Sequence, residues 1–323
     1  MPSHSLPGQT AQRRMRRSDL LAVWVALQVV VLLAVWATRS GTLSGPTRTV
    51  DRTVPFWKRP GFDAATKVVS FALLSTEPAE VIGAIENAKS VPLYLVGWRS
   101  RFYVGESFPD STADEIRQAG GDVVRLRDDN ASAKWTGDSQ RFWRTLALAD
   151  PAVEFAVMRA CSTRISDREI AAIHAWMMSN RTFHIMRDHP VQHAYPIPSG
   201  TWGAYAPSVR DVVDVPSSID KFLSRCRSQD NGDTDACKEE TWLGDVLWPF
   251  VVEDSIVHDS FHCGKFESDT RPFPLPRKYT GEWVGRTEVQ DYSPQGRYFQ
   301  TCWTTFTQEV PAKCRLEPSH AFG

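Results

Sequence analysis

The stretch Glu154–Gly203, EFAVMRACSTRISDREIAAIHAWMMSNRTFHIMRDHPVQHAYPIPSGTWG, decides how the chain folds. It opens on a short apolar run, Phe155 to Met158, bounded by charge and of the length of a buried strand. Ser166-Asp167-Arg168-Glu169 is a capping box: the Ser hydroxyl accepts from an orphan helix N–H and Glu169 reaches back to the cap. Ile170, Ile173 and Met177 follow at helical spacing, and Asn180 suits a left-handed stop. A second apolar segment, Phe183 to Met186, then runs into Arg187-Asp188-His189-Pro190. Strand, polar turn, capped helix, strand and charged loop are parts suited to holding a ligand at strand ends.

Upstream the same alternation continues. Lys67 to Leu74 reads as a central strand, and Ser75-Thr76-Glu77-Pro78 starts a helix whose apolar face is Val81, Ile82, Ile85 and Ala88. Trp98–Val104 is a second strand, Ser111–Ala119 a helix stopped by Gly120-Gly121, and Asp122–Leu126 a third strand. An amphipathic segment, Ser139–Ala149, leads to the Glu154 strand. This order predicts an α/β fold: a Rossmann-like parallel or mixed sheet with right-handed crossovers, and a ligand rim at Ser70–Ser75, Val104–Ser107 and Arg159–Arg164. Neither common glycine-rich phosphate loop is present, which argues against a dinucleotide or P-loop enzyme. Beyond Asp211 the chain is less regular, with partial helix expected over Asp211–Ser224 and Glu239–Pro249, then a Pro- and aromatic-rich run (Pro272–Tyr279) over the sheet edge.

The formal net charge of −1 excludes general polyanion affinity, and no basic face appears beyond the N-terminus, so no nucleic-acid partner is expected. Leu20–Thr38 is apolar apart from Gln28 and long enough to cross a bilayer, with Arg13, Arg14, Arg16 and Arg17 just before it. The positive-inside bias then predicts a cytosolic tail (1–18), a signal anchor (19–38) in contact with membrane lipid, a stem (39–60) and a lumenal domain (61–323). That is a single-pass type II membrane protein of the Golgi or endoplasmic reticulum. The sequons at Asn130 and Asn180 and the six cysteines accord with such a compartment. Cys226 and Cys237 bracket one loop that a bridge could close, Cys302 and Cys314 a second, with Cys161 and Cys263 unassigned.

Particular strings point further. Gly83-Ala84-Ile85-Glu86-Asn87-Ala88, Ser100–Val104, the eight residues Phe183–Pro190, Gly200-Thr201-Trp202-Gly203, His258-Asp259-Ser260, Cys263 and Pro272-Phe273-Pro274 together resemble a loosely characterised group of proteins with a glycosyltransferase A-type, nucleotide-diphospho-sugar transferase-like fold. The likeness runs from Lys67 to Gly285 and implies a nucleotide-sugar donor and a glycan or glycoprotein acceptor. It also implies Mn2+ or Mg2+ held by an Asp-x-Asp at the end of the fourth strand, where the cation offsets charge on the leaving diphosphate. The relatives read Arg-Asp-Cys-Asp-Ser-Arg there, whereas this chain reads Arg159-Ala160-Cys161-Ser162-Thr163-Arg164, so both carboxylates are missing. No metal site is therefore assigned, His189 and Asp259 being the weak candidates.

On this resemblance Arg159, Ser162, Arg164, Arg187 and His258 are expected at the donor. Gly200, Trp202 and Gly203 are expected at the acceptor, with Trp202 equally suited to core packing. Glu239, aligned with an acid of the relatives, is the expected general base, and Asp188 the second catalytic candidate. Asp188 and His189 equally suit the end of a strand and the cap of the next turn. Three readings stay open: a transferase that dispenses with metal, with arginines on the diphosphate; an inactive membrane-anchored protein that binds a carbohydrate or another enzyme; and a metal held by other ligands among Asp188, His189, His258 and Asp259.

Overall fold

The computed structural model describes residues 54–58, 61–127, 134–229, 237–266, 269–279, 282–287, 310–311 and 314–315. Its centre is an eight-stranded mixed sheet in the order β3-β2-β1-β4-β6-β5-β7-β8. The strands are Lys67–Ala72 (β1), Trp98–Gly105 (β2), Asp122–Leu126 (β3), Phe155–Ala160 (β4), Phe183–Arg187 (β5), Trp202–Tyr205 (β6), Ser255–Asp259 (β7) and Thr270–Arg271 (β8). Only β6 runs antiparallel to its neighbours, between β4 and β5. The mixed sheet expected from the sequence is present, with the first four strands close to their predicted places.

The helices follow from local chemistry. Pro78 occupies the first turn of Pro78–Tyr94 (α1), where its missing N–H costs nothing, although no hydroxyl caps the helix. Asp110–Gln118 (α2) ends at Gly120, whose φ of +97° lets the chain reverse. Asp167–Met177 (α3) is capped as expected, Ser166 Oγ accepting from Glu169 N at 3.2 Å. The helix stops earlier than Asn180 suggested, at Met177. Ala206–Val212 (α4) and Val215–Gln229 (α5) replace the single broken helix foreseen there, dividing before Pro216. Glu239–Trp242 (α6) runs into a π-helical turn, Leu243–Leu247, and then Trp248–Val251 (α7). The amphipathic segment before β4 is a long 3-10 helix, Gly137–Leu148, tied to β1 through Ser70 Oγ and the carbonyl of Arg144 at 2.6 Å.

Among the described residues two large apolar cores lie against the sheet, beside a small third one of Ala172, Met186, Phe273 and Val284. One joins α1, α2 and α3 to Val69, Phe71, Val157 and Trp176; the other joins the 3-10 helix and α4–α7 to Met158, Ile185 and Trp202. Phe56, within the stretch read as stem, is buried against Phe155 and Tyr205 and belongs to the first core.

Cysteine pairing differs from the expectation. Cys263 and Cys314 form a disulfide, while Cys237 carries a free thiol, so the proposed bridge to Cys226 is not made. Cys302, Asn130 and the expected membrane span Leu20–Thr38 lie outside the described residues. Among the described residues, no helix is long and apolar enough to cross a membrane.

Candidate active site

Because β1, β4, β5 and β7 are parallel, their carboxyl ends share one edge, and the residues just before antiparallel β6 join them there. The sheet order turns at β1 and β4, with Ala72 opposite Ala160. A crevice at such a switch point is where open α/β sheets bind ligands. The rim expected from the sequence therefore lies on one edge, but its side chains do different work from that expected.

The turn after β4 is held from below by α1. Asn87 Nδ2 donates to the carbonyls of Cys161 (3.0 Å) and Thr163 (2.9 Å), and a Cβ at Gly83 would overlap the Cys161 oxygen. Thr163 N and Oγ1 both donate to the Ala160 carbonyl. Arg164 Nη1 reaches the carbonyls of Cys161 and Thr163 at 3.4 and 3.2 Å. Glu80, on the same helix, faces Ser162, and burial raises its pKa. Burial likewise pushes the Cys161 thiol far above its usual range, leaving it a neutral donor to Ala72 O.

Behind this turn lies a buried ion pair. Arg144 grips the Glu239 carboxylate through Nε at 3.1 Å and, more closely, through Nη2. Its Nη1 approaches the Arg159 carbonyl at 3.5 Å, and a Cβ at Gly200 (φ +75°) would lie 3.1 Å from that Nη1 and 3.5 Å from Ala160 N. The guanidinium thus sits beside Ala160, under a glycine whose lack of side chain leaves room for it. Burial opposes its charge, but Glu239 more than compensates and holds the Arg144 pKa up. Burial also raises the Glu239 pKa, and Arg144 works against that rise. Glu239, expected as general base, is committed to this pair.

Arg159 is fully buried, 3.0 Å from Glu169 Oε1, with Nη1 on Gly200 O and Nη2 on Arg164 O. Neither Glu169 oxygen has an aligned hydrogen bond among the described residues, and burial raises its pKa to about 6. Arg187 spends its nitrogens on Asp259 and on the carbonyls of Tyr195 and Pro196. These arginines shape the site from inside the protein, and neither presents a cation to a donor phosphate as the sequence had suggested.

At the ends of β5 and β7, Asp188 is a buried hub. It receives Arg168 in a two-point grip at 2.9 and 3.0 Å, and it also receives Arg277, the Ser260 hydroxyl and Val284 N. Its own N–H donates to His193 Nδ1. His189 Nδ1 accepts from Val191 N and Gln192 N, as a turn cap would. His258 shares a 2.9 Å hydrogen bond with His184, and burial takes its pKa down to about 3. Asp259 accepts from Arg187 and from Phe261 N and His262 N. The weak metal candidates His189 and Asp259 are thus engaged in holding loops. Trp202 is wholly buried in β6 between Met158 and Ile185, and Gly203 lets β6 approach Ala156 O and Trp176. Of the acceptor trio, both of these residues serve the core, which corrects the expectation of a ring exposed to sugar.

A cleft of about 440 Å³ opens next to this edge, lined by Arg141, Tyr195, Ser199, Lys238, Glu239 and Glu240 among others. Ser199 Oγ donates to the Glu240 carboxylate. Val191 and Tyr195 are exposed at the rim. Sequence reasoning missed Glu80, Asn87, Arg141, Arg144, Arg168 and Glu240. Gly83 and Asn87, four apart on one helix face, were the one local signal available.

No protein-family model matches the chain, and no curated protein matches it. Its fold is similar to solved structures at low identity. A galactosyltransferase, LgtC, in complex with donor and acceptor sugar analogues, is 10% identical over 66% of this chain and 90% of its own, with a TM-score of 0.43. A 4-diphosphocytidyl-2C-methyl-D-erythritol synthase from Anaerococcus prevotii is 9% identical over 55% and 85%, with a TM-score of 0.32. A glucosyl-3-phosphoglycerate synthase from Mycobacterium tuberculosis, in complex with uridine diphosphate, is 16% identical over 50% and 67%, also at 0.32.

Proposed function

We propose that this chain is a glycosyltransferase-like protein that takes a sugar from a nucleotide sugar and passes it to a glycan or glycoprotein. The single observation that carries the reading is the cleft beside the carboxyl edge of the sheet, lined by Arg141, Ser199, Glu239 and Glu240 in front of the buried Arg144–Glu239 pair. Nearby on the carboxyl edge, backbone and charged side chains converge on a small concave site. The cleft holds a carboxylate, Glu240, oriented by Ser199 and placed next to the residue expected as base. In this reading Glu240 accepts the proton of an attacking acceptor hydroxyl, and Glu239 keeps Arg144 in place. Tyr195, half-exposed at the rim, offers a ring face for a sugar. The Leu20–Thr38 span anchors the protein as a type II membrane protein of the Golgi or endoplasmic reticulum, with the catalytic domain lumenal.

The test is donor turnover by the full-length protein in detergent micelles. It is incubated with UDP-, GDP- and CMP-sugars and a mixed glycan acceptor panel, and release of free nucleotide is followed. Release from one donor class is expected, with Glu240→Gln slowing it by about two to four orders of magnitude. Donor binding without release would favour the silent carbohydrate- or enzyme-binding alternative that the missing carboxylates suggest. Absence of any donor binding would sink the proposal. The topology has a separate check: a glycosylation reporter fused to the C-terminus becomes modified if the domain is lumenal, and stays bare if it is not.

A further inference from the structure

The fold resemblance implies a divalent cation at the end of β4, and the residues present do not fit one. A hard cation needs several oxygen ligands, carboxylates foremost. Ala160 and Ser162 supply no carboxylate. The turn's carbonyls are taken: Ala160 O by Thr163, and the oxygens of Cys161 and Thr163 by Asn87 and Arg164. Of the acids around the turn, Glu239 is committed to Arg144, which leaves Glu80, facing Ser162, and Glu240, bonded by Ser199, as separate single carboxylates and not the adjacent pair that holds a cation in this fold. Moreover the Arg144 guanidinium stands beside Ala160 N, where a second cation would be repelled. Among the described residues, the His, Cys and carboxylate atoms close enough together for one ion are those of Asp259, Cys263 and Cys314, and the two sulfurs are joined as a disulfide.

We infer that this chain binds a nucleoside diphosphate without a divalent cation. The buried Arg144–Glu239 pair fills the space of the missing carboxylate–metal unit, and Arg141, facing the cleft, meets the diphosphate charge. This rests on the proposed nucleotide-sugar reading and adds to it the identity of the cation. Arg159 and Arg187 cannot serve, being buried against Glu169 and Asp259. Arg164 is turned onto the backbone of its own turn. Arg141 differs. It lines the cleft, its side chain is 63% exposed, and its partner Asp138 is 3.6 Å away in a surface pair of the kind that contributes little. It stands one turn before Arg144 on the 3-10 helix, and its charge reaches both Glu80 and Glu239. A guanidinium so placed can take two phosphate oxygens at once and carry leaving-group charge with no ion bound.

The experiment is titration of the full-length protein in detergent micelles with UDP, GDP, CDP, ADP and TDP, and with inorganic pyrophosphate. Each is run in excess EDTA and again in millimolar Mn2+, and binding is read by calorimetry. One nucleoside diphosphate is expected to bind with equal affinity in both buffers. Arg141→Ala should weaken it by at least about tenfold and Arg141→Glu abolish it, the charge-assisted contact being lost and then reversed. Arg141→Lys should recover part of the affinity, and the urea midpoints of all three variants should match that of the parent protein. Binding that requires Mn2+, or metal-free binding indifferent to Arg141→Glu, overturns the inference and leaves the transferase reading standing. If none of the nucleotides binds in either buffer, the transferase reading fails and this inference with it.

Discussion

Two ends of the same sheet edge treat charge in opposite ways. Where β5 and β7 finish, Asp188 is enclosed by Arg168, Arg277, Ser260 and the backbone of Val284, and Arg187 by Asp259 and carbonyls. Where β1 and β4 finish, the buried pair Arg144–Glu239 is likewise closed, yet it is fronted by Arg141 and Glu240 on an open cleft. The first arrangement holds shape, since Asp188 and Arg187 are each buried and engaged by several partners at once. The second keeps an outer layer of charge on the cleft in front of a buried one, an arrangement suited to recognising a polar ligand.

The largest effect should come from unbalancing the closed end. Asp188→Asn would leave Arg168 and Arg277 facing a neutral amide, a loss of about 3–5 kcal/mol of unfolding free energy by urea denaturation. A loss below about 1 kcal/mol would mean the hub is not the structural pivot described. At the other end, Gly83→Ala should cost about 1–3 kcal/mol, because the added carbon meets the fixed Cys161 carbonyl. If its urea midpoint is unmoved, the β4 turn is not pinned against α1.

The comparison also has a pH signature. His258, with a folded pKa near 3, and its partner His184, lowered in the same direction by burial, both stay neutral in the native state. Below the ordinary histidine value of about 6.5 the unfolded chain takes up protons that the native one refuses. Stability is therefore full above that value and falls as pH drops, by roughly 1.4 kcal/mol per pH unit for each histidine. Glu169, raised to about 6, acts in the opposite sense between about pH 4.5 and 6, where the native form holds the extra proton. His258→Gln should flatten the slope of unfolding free energy below pH 6.5, and an unchanged slope would remove this pair from the account. The smallest effect belongs to Arg141→Ala, expected to shift unfolding free energy by no more than about 0.5 kcal/mol, since its ion pair with Asp138 is a surface one. A large loss would show that Arg141 is not the weakly held outer cation that the contrast between the two ends requires.

Legibility in the sequence divided along physical lines. Strands β1 and β4 could be read because their apolar runs are nearly continuous, and β2 and β3 because helix start and stop residues such as Gly120-Gly121 bound them. β6 could not: it is four residues long, and its Trp and Gly looked like a ligand loop. β7 was obscured because His258 and Asp259 are polar yet fully inside. The strand ends read from the sequence do share one edge, but the partners of the side chains there could not be read. Glu239 meets Arg144 across 95 positions and Arg168 meets Asp188 across 20, distances over which no local pattern distinguishes a paired charge from an available one. Neighbouring residues with the same chemistry, Glu239 and Glu240, ended on opposite sides of that distinction.

The covalent link between Cys263 and Cys314 spans 51 positions and fastens late chain to the residues that follow β7, beside the loop carrying Asp259. In the chain-entropy account, such a cross-link is worth roughly 4 kcal/mol against the unfolded state. The choice of production host therefore matters: a bacterial cytosol, which keeps thiols apart, would deliver material without this stitch, and assays on it would report on a looser protein than one made in an oxidising compartment.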